Sequence, residues 1–530
     1  MASLTGAVLL QPLLLAIALH EFVLRRVEVD HLVLHGISIC TAGFLILVQW
    51  IGFSDAFLLS TIFWGSLSIW TLLYRAFWHP LNLFPGPYGA KLSKWWTTKN
   101  TWTTRWHMHR VHQVLHSKYG DYVRTGPREI SVYDPAAIGP ILGLSSKSLK
   151  GPFYDIMEET LHMNRNQAFH KQRRRIWDNA MKNSLSDYAP RVEEFTDQLL
   201  NRLRNANGMP VLLLECCAHY SYDVMSDLAF GKPMGFIKGE QNDVAESILK
   251  TLSDGLDAMG LIYHVPWFMN AISVLTSIAG PLKAWRDWSV LSMSERLALE
   301  TKRSDIVEHL INKTPKTPEG NELLYGESRL IISAGSETTA TALTFILVQL
   351  ATHPSVMHSV RKEYRESQAT YSCQRSLPFL DAVIHESMRL WPSLFFLGQR
   401  VTPPEGLQLG STFIPGNTIV QLQPFVIHRD PRSFVRPDEF IPERWTTRRE
   451  LVLNKDAFFP FSTGPYDCVG KRLAYMEMRS VITKVVGEFD VCLPEDFKKE
   501  VYWGDVRDHI TAAAPPDQEV MFLKLGASKP

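Results

Sequence analysis

A mainly α-helical domain carrying small β-sheets, preceded by a short module of membrane-length helices, is what this sequence implies. Three observations carry that reading. The first 78 residues are almost continuously apolar. From about residue 168 to 392, apolar side chains recur at helical spacing, as in Tyr222, Met225, Leu228 and Ala229, with turns such as Gly231-Lys232-Pro233 between runs. Strand-like alternation is scarce there and surfaces only late, at 407–420 around the Ile414-Pro415-Gly416-Asn417 turn and again at 519–525.

The membrane module comes first in the chain. Residues 7–24, 32–53 and 56–74 are apolar runs of roughly the 17 to 25 residues that a spanning helix needs. A cleavable leader would show one such run and a cleavage site, whereas apolar sequence continues here to Trp78, so three spans are expected over 1–78. Arg25 and Arg26 follow the first run, Asp55 lies between the others and Arg75 follows the third. The positive-inside rule then puts both arginine positions in the cytosol and the N-terminus in the lumen. The first run is the weakest, because His20 and Glu21 sit near its end. The other reading is a single span with interfacial or buried apolar helices. Leu83-Phe84-Pro85-Gly86-Pro87 breaks any helix leaving the membrane, which makes 79–90 a stiff hinge and 91–530 one large domain.

Composition narrows the class of that domain. With 45% hydrophobic residues and 15 Trp the chain is a folded protein, and a net charge of +1 gives no sign of a nucleic-acid partner. Cys40, Cys216, Cys217, Cys373, Cys468 and Cys492 form neither CxxC pairs nor a disulfide framework, which suits a reducing compartment. No HExxH or paired Cys/His spacing supports zinc, and no internal period marks a repeat protein.

Chemistry concentrates at one cysteine. Phe461-Ser-Thr-Gly-Pro-Tyr-Asp-Cys468-Val-Gly470 runs into an apolar-periodic helix at Leu473-Ala-Tyr-Met-Glu-Met. A thiolate there would face the positive end of that helix and backbone N–H groups, which favour the ionised sulfur that iron requires. Gly464 and Gly470 would let the backbone turn tightly and approach a flat cofactor, and Phe461 would shield the sulfur. Alone, the loop also suits a buried structural cysteine.

Three further motifs surround it. Glu386-Ser-Met-Arg389 places a carboxylate and a guanidinium at i, i+3, ahead of Leu390-Trp391-Pro392 and of Pro442-Glu443-Arg444-Trp445. Glu300-Thr-Lys-Arg303 has the same spacing and is read as an exposed surface pair. Ala334-Gly335-Ser336-Glu337-Thr338-Thr339 lies in an apolar helical run, where a glycine costs about 1 kcal/mol and close approach of a ligand would justify Gly335. Threonine there also commonly bonds back to helix carbonyls. His170-Lys-Gln-Arg-Arg174-Arg-Ile-Trp177 is a basic helical stretch.

These motifs, in this order, resemble the cytochrome P450 family over about residues 80–530. FxxGx3CxG matches its haem-binding loop, and Leu83 to Pro87 resembles its microsomal proline hinge. The resemblance implies a P450 fold, haem b ligated by Cys468 and a buried network of Glu386, Arg389 and Arg444 behind the haem. It also implies proton relay by Glu337 and Thr338, and propionate contacts from His170, Arg174 and Arg400. Two positions depart from the family pattern. Tyr466 stands where an arginine is usual, and His170 where a tryptophan is usual, so the outer anchoring of the haem must differ. The implied activity is insertion of one oxygen atom from O2 into a hydrophobic small molecule. Electrons would come from NADPH through NADPH–cytochrome P450 reductase, with cytochrome b5 as a further donor. Arg173, Arg175, Lys471 and Arg472 would offer a basic face to that reductase, and segments 154–163, 256–267, 330–334 and 394–397 would line the substrate.

The module and motif wording are most similar to fungal secondary-metabolism members of the tryprostatin hydroxylase type, which implies an alkaloid, terpenoid or polyketide substrate. The same likeness implies a monomer in the endoplasmic reticulum membrane, in contact with lipid, with its catalytic domain cytosolic. Two rivals remain at this point: a haem-thiolate isomerase or dehydratase, and a non-catalytic haem- or lipid-binding membrane protein.

Overall fold

The computed structural model describes residues 6–156, 158–183, 185–240, 243–278, 280–299, 303–367, 372–373 and 375–526. The chain is mainly helical, with one five-stranded sheet and three smaller ones among those residues.

Three helices open the chain: Gly6–Leu19 continued by a π-turn His20–Leu24, then Val33–Ile51, then Phe53–Leu73. A single residue, Gly52 at φ 82°, joins the last two. The segments Asp30–Ile51 and Phe53–Trp78 are long and apolar enough to cross a membrane, while Val8–Leu24 falls short of that length. The polar residues that weaken the first run are satisfied inside the bundle. Glu21 accepts from Trp70 Nε1 at 3.0 Å and lies 3.0 Å from His20 Nδ1, and the His20 ring meets Tyr74 edge-on at 5.0 Å. The loop after the first helix docks on the large domain through Glu28, which pairs with Arg165 at 2.9 Å and Arg128 at 3.4 Å. Asn270 adds a bond to the Asp30 carbonyl at 3.1 Å.

The five-stranded sheet runs Tyr122–Gly126, Glu129–Val132, Ile419–Leu422, Arg400–Val401, Leu149–Lys150. Glu129–Val132 pairs parallel with Ile419–Leu422, and the other pairings are antiparallel. The hairpin 122–132 escapes the alternation search because Glu129–Val132 is buried at every position, which removes the in/out pattern. The late alternation does form strands, at Leu407–Leu409, Thr412–Ile414 and Glu519–Lys524.

The core centres on helix Pro318–Thr352. It is apolar enough to span a membrane but lies mostly buried inside the domain. Thr317 caps it by accepting from the Gly320 N–H at 3.2 Å, and Pro318 occupies its first turn. Helix Leu213–Phe230 packs along it, and Gly335 marks the contact: a Cβ there would sit 2.4 Å from Met225 Cε. A neighbouring helix therefore crowds this glycine through the Met225 side chain.

Candidate functional site

Cys468 sits on a loop that twists through left-handed backbone at Ser462 (φ 59°) and Gly464 (φ 78°). Gly464 is required twice over, since a Cβ there would also lie 1.9 Å from the Leu142 carbonyl oxygen. Protein backbone therefore crowds Gly464 on the side its Cβ would occupy. Gly470 has an ordinary φ of −81°, and a Cβ there would lie an unstrained 3.9 Å from the cysteine sulfur, so no tight turn demands it. The Cys468 N–H donates to the Phe461 carbonyl at 2.9 Å, and the Phe461 ring packs on Tyr475 at 5.4 Å.

Helix Lys471–Glu488 begins directly after Gly470. Burial pushes the Cys468 thiol up, and backbone N–H groups of Gly470 and Lys471 act against that shift. Ala334 lies midway along the central helix. Thr338, one turn on, donates its hydroxyl to the Ala334 carbonyl at 2.7 Å, and Ser393 Oγ reaches the Thr338 carbonyl at 2.8 Å. Glu337 points to the neighbouring helix instead, where Tyr222 OH donates to it at 2.5 Å, and burial raises its carboxyl.

Glu386, Arg389 and Arg444 form one fully buried network. Glu386 accepts from Arg389 Nε and Nη2, both at 2.9 Å, from Arg444 Nε at 2.9 Å, from Trp445 Nε1 at 3.0 Å and from the Ile441 N–H at 3.0 Å. The remaining guanidinium donors meet backbone carbonyls, including His428 at 2.8 Å and Val435 at 2.9 Å. Such completeness is what keeps buried charges tolerable.

A second cluster gathers His170, Arg400 and Tyr466 with a residue that motif reading missed, Lys150. Sheet register explains its arrival, because Lys150 and Arg400 are cross-strand partners. Lys150 Nζ donates to the carbonyls of Leu161, His162 and Asn164 at 2.6–3.1 Å and lies 5.0 Å from the Tyr466 ring centre. The Arg400 guanidinium lies 4.9 Å from the same ring, and its buried Nε has no hydrogen-bond partner. Among the described residues neither cation has a carboxylate partner. Burial and Arg400 hold Lys150 down at about 7. Burial, together with the nearby cations, pushes His170 down to about 4.

Arg174 clamps the cysteine loop, donating to the Asp467 carbonyl at 2.8 Å and carboxylate at 2.6 Å, with Asp178 at 3.1 Å. Arg173 is buried rather than part of a basic face, because Glu327 takes its Nε at 2.9 Å. Arg175, Lys471 and Arg472 are exposed. Arg303 pairs with Asp227; Glu300, its expected partner, lies outside the described residues. Three of the four substrate segments meet in an aromatic cluster of Phe153, Tyr154, Ile156, Met163, Tyr263 and Phe396. Ile510 joins it from a hairpin tip at φ 85°, a contact for which the sequence offers no signal.

A family model for cytochrome P450 matches residues 87–506. The chain belongs to the cytochrome P450 family. Relatives are named monooxygenases of that family. Cytochrome P450 monooxygenase orf5 of Eupenicillium brefeldianum is 35% identical over 84% of this chain and 91% of its own length. The corresponding figures are 36%, 81% and 80% for the P450 monooxygenase nodW of Hypoxylon pulicicidum, and 33%, 86% and 82% for tryprostatin B 6-hydroxylase of Aspergillus fumigatus. The retinoic-acid-bound cyanobacterial CYP120A1 superposes with TM-score 0.65 at 19% identity, over 78% of this chain and 94% of that one, which supports the fold. This chain is therefore a P450 monooxygenase, and the family brings haem with it. Its residues fit that group: a thiol with two backbone N–H groups toward its sulfur, and two buried cations without a carboxylate partner, one with an unpartnered Nε.

Proposed function

We propose that the enzyme inserts one oxygen atom into a hydrophobic secondary metabolite of the alkaloid, terpenoid or polyketide kind. The electrons come from NADPH through a P450 reductase, with cytochrome b5 as a further donor. The haem supplies reductive activation of O2. Cys468 holds the iron, and the Gly470 and Lys471 N–H groups temper the charge on its sulfur. Lys150, Arg400 and Arg174 would neutralise the propionates, with His170 and Tyr466 adding hydrogen bonds. Thr338 would move protons, Glu337 would join that relay by exchanging its Tyr222 bond, and the Glu386 network fixes the backbone that carries the loop. The aromatic cluster excludes water and orients the apolar substrate. In this reading residues 1–78 anchor a monomer in the endoplasmic reticulum membrane, 79–90 are the hinge, and 91–530 form the cytosolic catalytic domain, with Arg175, Lys471 and Arg472 facing the reductase.

The Cys468 thiol at the head of helix Lys471–Glu488 carries this reading. The reduced carbon monoxide complex is expected to show the family's red-shifted Soret band, and Cys468→Ala to abolish it. Thr338→Ala is expected to keep the band while uncoupling NADPH consumption from product. Turnover without NADPH or O2 would instead assign an isomerase or dehydratase.

A further inference from the structure

Between the five-stranded sheet and the aromatic cluster lies a small, partly open void that the proposed mechanism does not use. Thr97, Glu129, His264, Gln423 and Asp508 line it, and each is more than nine-tenths buried. Each also keeps one atom without a hydrogen-bond partner: Thr97 Oγ1, Glu129 Oε2, His264 Nδ1, Gln423 Nε2 and Asp508 Oδ1. Stranding one buried polar atom is costly, and stranding five around one void is costlier still unless a guest completes their bonds. The opposite oxygen of Glu129 is already engaged, by Lys94 Nζ at 2.6 Å and Thr125 Oγ1 at 3.0 Å. The void offers the centre of a guest about 10 Å³, which just admits one water.

We propose that this void is a binding site for one hydrogen-bonding oxygen or nitrogen atom, brought by a buried water or by the polar end of an otherwise apolar substrate. The donors and acceptors are balanced for such a guest. Gln423 Nε2 and the Thr97 hydroxyl can donate, while the Glu129 and Asp508 oxygens can accept. Burial holds the Asp508 carboxyl up at about 7, so it can take either role near neutral pH. Tyr263 and Phe396, stacked at 5.1 Å with 12° between planes, belong both to this void and to the aromatic cluster, and form the wall shared with the proposed substrate space. Only the substrate source rests on the monooxygenase reading.

The test uses the full-length protein in lipid nanodiscs and has two arms. Thr97→Val and Gln423→Leu each remove one polar contact at nearly constant shape. A filled site predicts that both lower the thermal midpoint by a few degrees, because the guest loses a partner. Unchanged or raised midpoints would mean that the polar atoms are stranded, and would overturn the site. The second arm titrates a series of N-alkylimidazoles of increasing length, each paired with its ω-hydroxyl counterpart, following the Soret shift. Entry of a substrate's polar end predicts roughly tenfold tighter binding of the hydroxyl form at one chain length, lost in Gln423→Leu. Equal affinities at every length assign the site to a resident water. Absence of any Soret shift would count against the haem reading and leave the first arm intact.

Discussion

Lys150 and Arg400 bring two basic groups into the protein interior with no carboxylate beside either among the described residues, an arrangement that an anion would stabilise in its fully charged form. A haem propionate would answer that need in the proposed reading, with Tyr466 standing where the family usually has arginine. The Tyr466 ring lies about 5 Å from both cations. Lys150→Met should therefore speed haem loss by roughly ten- to a hundredfold, the worth of one charge-assisted contact. Transfer to apomyoglobin measures this without reference to turnover, and an unchanged rate would put the propionates elsewhere. Cys468 and the Glu386 motif were legible in sequence because their spacing is local. Lys150 was not, because it acquires its role only when Leu149–Lys150 registers against Arg400–Val401, about 250 residues away by sequence numbering.

Among the elements, the contact between helices Leu213–Phe230 and Pro318–Thr352 carries the clearest lesson about what sequence conveys. The helical periodicity and the caps of the second helix were readable, as was the oddity of a mid-helix glycine. Its contact with Met225 was not, because that side chain comes from another helix. Gly335→Ala should thus change sign with its background. In the parent, the added methyl meets Met225 and lowers stability by roughly 1 to 2 kcal/mol. In Met225→Ala the clash is gone and the helix preference for alanine remains, so the same substitution should stabilise by about 1 kcal/mol. Denaturation midpoints of the four proteins in this cycle measure the coupling. Equal effects in both backgrounds would return Gly335 to the role of a ligand-facing residue.

Across the whole molecule, the arrangement of the N-terminal helices relative to the large domain sets the topology. The loop after the first helix is tied to the domain by Glu28 and Asp30, so it lies on the domain's side of any membrane, and the turn at Gly52 lies on the far side. What remains is whether Val8–Leu24 crosses. At 1.5 Å per residue it extends about 25 Å, somewhat less than the roughly 30 Å of a hydrocarbon core. Local thinning of the bilayer can absorb such a mismatch at modest cost. Of its two polar residues near the domain-side end, Glu21 is satisfied by Trp70 and Arg25, and His20 by Glu21, rather than left in lipid. Crossing is therefore favoured, with three spans and a far-side N-terminus. In sealed microsomes an N-terminal epitope tag should resist added protease, while a tag inserted in the loop after Arg26 is cleaved. Cleavage of the N-terminal tag without detergent would instead lay the first helix along the interface and leave two spans, with the catalytic domain held on the same side.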